Sequence, residues 1–348
     1  MVNTLSHLGI GLLIASVAGL NSRQIKIVAF MAILPDLDFI FSVFLMAIDQ
    51  NLNHEMYNTL YYLFGHREFM HSLIFALIVV MYVWFRERNR ILIIASAAAI
   101  LSHVYLDYVT SWKMRPFFPF VTDASTIGAI DFFDPVVTIV SFVPIYYILV
   151  ARARKKSVDN GKSNWFQTLT TGSHRKMYTR FLIVFTLWCL LNPFAKVFLI
   201  SDVETSEDTD ISYQNSYPVS PGKFLSAYRY DDGNYKILLS SYWSGVEKSD
   251  LIRIYPENSA ESMPYIKRTG ELYASSLPKE IDYPVYNVSS SGANVTVTIS
   301  DARNPYARFW AYFKTEYIFV FETDSETYHA YYVRDGQQNR SISSNVFE

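Results

Sequence analysis

Six apolar segments, near residues 4–20, 25–48, 69–85, 91–110, 135–151 and 180–200, fill the first two hundred positions of a 348-residue chain. A helix needs about 20 apolar residues, with a range of roughly 17 to 25, to cross the hydrocarbon core of a bilayer. Backbone groups in that medium must find their partners within the segment. Runs of this length and number restrict residues 1–200 to an α-helical polytopic membrane domain of about six segments. The first is short and the fifth contains Pro144, so both are expected to be tilted, kinked or partly sunk in protein.

Beyond residue 200 the chain turns to Tyr, Ser, Asp and Asn with short apolar stretches. In "FLSAYRYDDGNYKILLSSYW" (224–243) two tyrosine-bearing runs flank Asp-Asp-Gly-Asn, a hairpin signal. "NVTVTIS", "ARFWAYF", "YIFVFET" and "YHAYYVR" are β-branched or aromatic strands with turn residues between them. The acidic "DVETSEDTD" (202–210) has no apolar periodicity and reads as part of a linker. The expected organisation is a membrane domain over 1–200, a linker over 201–222 and a β-rich soluble domain over 223–348.

A formal net charge of −2 and the absence of any basic stripe with interleaved aromatics exclude a nucleic-acid partner. Cys189, the single cysteine, lies in an apolar run; it supports neither an intrachain disulfide nor a thiolate site. No basic region precedes "LSHLGIGLLIASVAGL", so the first apolar segment is expected to be retained rather than cleaved as a signal peptide.

Lys and Arg concentrate in alternate connections: "NSRQIK" (21–26), "RERNR" (86–90) and the stretch Arg152 to Arg180. Cytoplasmic loops carry such an excess, which predicts a multi-pass protein of the cytoplasmic membrane. Both termini, the loops 49–68 and 111–134, and everything after residue 200 then face outward.

The apolar segments hold or border His7, Asp36, Asp38, His66, Arg67, His71, His103, Asp107, Asp131 and Asp134. Ionisable groups at such positions are costly and usually paired or functional. In the predicted topology every one falls in the outward half of its segment, where residues of different segments can meet. His103 and Asp107 are four apart, on one helix face. His66 and His71 are five apart, which places His66 in a loop or first turn and His71 on the helix proper. Pro35 favours a break that lets one or both of Asp36 and Asp38 reach the site. Asp131 and Asp134 precede Pro135, where one is expected to cap the fifth helix and the other to point inward as ligand or general base. His54, His174 and His329 are read as solvated or structural.

Imidazoles and carboxylates without thiolates suit zinc, and also manganese or iron. The set is large enough for one to three divalent ions. A pair of ions about 3.5 to 4 Å apart would activate water and clamp a phosphoryl group, and Arg67 would add a bidentate contact to a phosphate oxygen.

These residues resemble the YdjM/YbcI-type family of membrane-bound metal-dependent hydrolases, particularly its YfhP-like branch. The resemblance rests on "SHLGIG" (6–11), "PDLD" (35–38), "HREFMHS" (66–72), "SHVYLDYVTS" (102–111), "PFFPF" (116–120) and "IDFFDPVVT" (130–138), in that order over residues 1–200. Glu68 and Met70 stand where the family usually has Gly and Thr. The resemblance implies a helical membrane domain with a divalent-metal site and hydrolase activity. More distantly, the His, Asp, His, His-x-x-x-Asp order is similar to zinc-dependent phospholipase C and P1-nuclease enzymes, which implies a phosphoester substrate.

The expected function is therefore a membrane-embedded metal-dependent hydrolase acting on a lipid or lipid-linked phosphate. His7, Asp36, Asp38, His66, His71, His103 and Asp107 are its expected ligands; Asp131, Asp134 and Arg67 are its expected catalytic groups. The rival is a non-catalytic scaffold for the outer domain, or a metal or proton transporter. Transport needs polar residues continuing inward, and the inner halves of these segments are almost uniformly apolar.

Overall fold

The computed structural model describes residues 3–48, 52, 54–110, 113–156, 172–257, 259–275, 281–306, 314–323, 327–334 and 340–342. The chain divides into two compact units, residues 1–42 with 63–198 and residues 43–62 with 199–348.

In the first unit short polar side chains set the helix ends. Asn3 caps α1 (Thr4–Val17), and Asn21 forms a capping box with Gln24 at the start of α2 (Ser22–Ile33). Each satisfies N–H groups that a first turn leaves without partners. Pro35 has no N–H and cannot continue the α2 ladder. A 3-10 turn (Pro35–Leu37) follows, and α3 (Asp38–Ile48) leaves at a bend of 59°. The apolar segment 25–48 is thus a broken helix.

The stretch 49–68, expected as an outer loop, contains α4 (His54–Phe64). Its Met56, Tyr57, Leu60, Tyr61 and Phe64 recur at helical spacing. A 3-10 turn (Phe69–His71) leads to α5 (Leu73–Glu87), with a bend of 66° between the α4 side and α5. Next come α6 (Arg90–Val109), capped by Asn89, α7 (Pro135–Lys156) and α8 (Gly172–Glu207). By length and composition α6 and α8 can each cross a membrane, and the two bent pairs raise the number to four. The apolar part of α7 and the whole of α1 are shorter.

Helix α1 packs against α2, α6 and α7, around a core that includes Ile10, Leu13, Ile25, Val28, Leu92, Ala99 and Val140. Close approach is possible because α1 is glycine-bearing. A Cβ on Gly9 would lie 1.9 Å from the Ser141 carbonyl oxygen of α7, and one on Gly11 would lie 2.5 Å from the Ala32 Cβ of α2. This packing brings His7, on α1, to the face of α6.

The second unit holds two antiparallel meanders. One is β1 (Ser216–Ser220), β2 (Lys223–Arg229), β3 (Asn234–Ser241) and β4 (Gly245–Arg253); the other is β5 (Pro284–Ser291), β6 (Asn294–Asp301), β7 (Thr315–Glu322), β8 (Tyr328–Arg334) and β9 (Arg340–Ile342). The Asp-Asp-Gly-Asn turn joins β2 to β3 in register Lys223↔Ser241 to Arg229↔Tyr235. In it the Asp231 carboxylate accepts the Gly233 N–H at 2.7 Å, an Asx turn of the kind aspartate favours. The expected strands "NVTVTIS", "YIFVFET" and "YHAYYVR" lie in β6, β7 and β8; "ARFWAYF" lies outside the described residues except as sequence. A helix that strand signals did not announce, α9 (Met263–Ser275), packs its Ile266 and Tyr273 with Val297, Ile299 and Phe319.

Residues 202–207, expected in a linker, instead complete α8. No Gly or Pro interrupts them, and Glu207 is held at its end by Lys236 at 2.5 Å and by the Tyr228 hydroxyl at 3.1 Å. The polar centre of the unit is Arg303, fully buried between the rings of Tyr217 and Tyr283, each 4.9 Å away. It donates to both Asp301 oxygens at 2.8 Å and to Asp282 at 2.7 Å.

Replacing Gly9 with Ala should force α1 from α7 and cost about 1–3 kcal/mol, as overpacking does, seen as a lower thermal midpoint of the detergent-purified protein. Gly233→Ala, where the nearest atom would be 3.6 Å from the new Cβ, should leave that midpoint unchanged.

Candidate metal centre

Four elements of the first unit carry the ionisable set. His7 sits one turn into α1, and its Nε2 lies 3.2 Å from Asp107 Oδ1. His103 and Asp107 share a face of α6 and are buried together. The rings of His7 and His103 stack with centroids 3.7 Å apart and planes inclined by 24°. Asp36 and Asp38 come from the break between α2 and α3, and His66, Arg67 and His71 from the turn before α5.

Ser72 accepts the Phe75 N–H at 3.1 Å and so fixes the start of α5 at Leu73. His71, expected on the helix proper, therefore stands in the preceding 3-10 turn. Arg67 adopts φ +70°, a left-handed conformation that costs a non-glycine residue free energy. Its N–H donates to Asp38 Oδ2 at 2.9 Å, which holds the turn in that shape.

The nitrogen atoms facing away from the centre decide what faces it. His103 Nδ1 lies 2.7 Å from the Ala32 carbonyl oxygen, which can only accept, so Nδ1 carries the proton. His71 Nδ1 lies 2.8 Å from Asp38 Oδ2. That contact sets the His71 ring against a carboxylate on the side away from the centre. The two Nε2 atoms then meet at 3.2 Å. His71 Nε2 is also 3.3 Å from Asp107 Oδ2 and 3.7 Å from Asp36 Oδ1; His103 Nε2 is 3.8 and 3.6 Å from the same atoms.

The Nε2 atoms of His71 and His103 thus face each other beside Asp36 Oδ1 and Asp107 Oδ2, and His7 Nε2 lies against the other Asp107 oxygen. Either a proton on His71 Nε2 or a cation must compensate the facing lone pairs. Ligands about 2.0–2.2 Å from one ion stand roughly 3.0–3.5 Å from each other, close to the separations here. The donor set fits a divalent ion.

His7, Asp36, His103 and Asp107 each offer a donor atom within 4.8 Å of the others, and Asp38, His66 and His71 form an adjoining group on the same terms. The seven residues expected as ligands are therefore brought together. Asp38 differs from the rest, because both its oxygens are engaged: Oδ1 with His66 Nδ1 at 2.6 Å, Oδ2 with the Arg67 N–H and His71. A carboxylate so occupied orients a ligand. Arg67 is buried, and its guanidinium lies 3.3 Å from Asp107 Oδ2.

Asp131 and Asp134 stand differently. Asp134 caps α7 by accepting the Val137 N–H at 2.8 Å and also accepts from the Trp188 indole at 3.1 Å. Asp131 accepts the Phe133 N–H at 2.9 Å. Among the described residues neither has a hydrogen bond or ion pair with the seven. Burial pushes both carboxyls above the ordinary aspartate range. Of the other histidines, His174 lies in an aromatic cluster with Tyr147, and His329 lies in β8 opposite Val320.

Sequence reasoning left Glu68 unassigned; it is buried and ion-paired with Arg115. No local spacing announces a pair 47 positions apart.

A helical unit with spans of membrane length and a buried histidine–aspartate group defines a membrane protein whose ionisable side chains are grouped as metal ligands are. The chain belongs to the YdjM inner membrane protein family, whose family model matches residues 1–197. A search of the curated proteins and a search of the solved structures each return no match.

Asp134→Ala should lower stability by about 0.5–2 kcal/mol, the usual effect of losing a cap, measured by thermal unfolding. Divalent-cation binding by the purified variant should be unchanged.

Proposed function

We propose that the His/Asp group binds a divalent metal, zinc or manganese, and that the protein is a membrane-embedded metal-dependent hydrolase acting on a phosphoester of a lipid or other amphiphile. The observation that carries this reading is the grouping of His7, His71 and His103 Nε2 with Asp36 and Asp107, while the outer nitrogens of His71 and His103 are held by Asp38 and the Ala32 carbonyl. A divalent ion held there supplies a nucleophilic water at neutral pH and Lewis acidity toward a phosphoryl oxygen.

The chain's own residues do the rest. Asp38, 2.8 Å from His71 Nδ1, orients that ring so that Nε2 faces the group. Burial excludes bulk water and strengthens every charge interaction in the group. Arg67, within ion-pair distance of Asp107, is the cation that an anionic phosphate at this group meets. His66, whose side chain is 38% exposed against 0% for Asp38, marks the accessible side. Asp131 remains a base candidate, since its Oδ1 is buried without a hydrogen-bond partner among the described residues.

The reading extends to placement. Six crossings with basic loops inside would put both termini, the group and the β-rich unit outside the cytoplasm, and a lipid phosphate would reach the group by lateral diffusion. The β-rich unit would select substrate or bind a partner.

Elemental analysis of detergent-purified protein tests the claim. Stoichiometric zinc or manganese is expected in the wild type and its loss in a His71→Ala, Asp107→Ala double variant. Asp38→Asn should weaken affinity by about 10- to 100-fold in a chelator competition, as removal of an orienting carboxylate does. Wild-type protein that neither retains nor takes up metal would remove the hydrolase reading and favour a scaffold.

A further inference from the structure

The connection between α6 and α7 contains a closed loop whose tip is apolar and whose neck is not. Met114 and Ser125 exchange two backbone hydrogen bonds, at 3.0 and 2.9 Å, which bring the loop ends together. Buried Arg115 ties the neck twice more, donating through Nε to the Thr122 carbonyl and pairing through its guanidinium with Glu68. Within the loop, the Phe118 N–H donates to the Arg115 carbonyl at 3.1 Å and the Phe120 N–H to the Phe117 carbonyl at 2.9 Å. This is an Ω-type loop with a fixed shape.

Its tip, Pro116 to Val121, contains no polar side chain. Phe117, Phe120 and Val121 are 48%, 81% and 47% exposed. A loop in water does not hold such a tip outward when its neck is rigid enough to choose a direction, because that exposure is unfavourable at about 25 cal/mol for each Å². The loop also begins where a span ends. It follows α6 by a few residues, and Pro116 accepts the Leu73 N–H at 2.9 Å at the start of α5. Phe118 packs against Phe69 with ring centroids 6.4 Å apart. The tip is thereby joined to the start of α5, whose Leu73 and Leu77 are also exposed.

We propose that residues 115–122 form an aromatic finger that seats in the boundary between headgroups and acyl chains of the bilayer, at the end of the spans where the His/Asp group lies. Aromatic side chains favour that layer. The Glu68–Arg115 pair joins the finger to the turn bearing Arg67 and His71, so seating the finger sets the depth of that turn. The inference rests on the membrane placement of the helical unit, not on a bound metal.

Spin-label depth measurements test it. In a Cys189→Ser background, single cysteines at Phe120, at Ile94 on α6 and at Asp232 in the exposed β2–β3 turn are nitroxide-labelled. The full chain is reconstituted in vesicles of phosphatidylethanolamine and phosphatidylglycerol. The ratio of collision rates with oxygen and with a neutral nickel chelate should be at least several-fold higher at position 120 than at 232, approaching that at 94. A ratio at 120 equal to that at 232 would overturn the inference. So would exclusion of both reagents from 120, which would mean a protein partner on the finger. Metal retained in either of those outcomes would leave the hydrolase reading standing.

Discussion

The break at Pro35 is the constraint on which the rest of the first unit depends. A helix that ran unbroken from Ser22 to Ile48 would present Asp36 and Asp38 on different sides of one apolar rod. With no N–H at Pro35 the ladder stops, and the 59° bend places the carboxylates back to back. Asp36 faces the Nε2 atoms of His71 and His103; Asp38 faces His66, Arg67 and the far nitrogen of His71. One local defect thus separates a carboxylate that faces the centre from one that holds its neighbours.

Burial makes the arrangement costly, and that cost carries the functional argument. His7, His71, His103, Asp38 and Asp107 are each 2% exposed or less. Two carboxylates packed against imidazole lone pairs in a low-dielectric interior repel one another unless positive charge stands among them. Arg67 supplies one such charge at Asp107. Protons would compete with a divalent ion for the rest, so metal uptake by this group would release protons and weaken as pH falls. The same low dielectric would strengthen the hold on a phosphate.

Much of this was legible in the sequence because helices convert spacing into direction. His103 and Asp107 at i and i+4 need only helical geometry. Lateral position is different. Asp131 and Asp134 border a helix as the other candidates do, yet their side chains serve a turn and the α7 cap, because spacing sorts residues along the spans and not around them. The division of labour between Asp36 and Asp38 depends on a bend angle, and the Glu68–Arg115 pair on how two loops pack. Helix α9 and the last turn of α8 were missed where polar residues hid a helical period, and α4 was missed although its apolar residues recur at helical spacing.

The account's central claim is that three imidazoles and two carboxylates hold a single ion. X-ray absorption at the edge of the bound metal, with wild-type protein loaded with one equivalent of zinc or manganese, tests it most directly. The account predicts scattering from three imidazole rings together with oxygen ligands, and one ring fewer in His71→Gln. A spectrum without imidazole scattering, or one that His71→Gln leaves unchanged, would contradict it.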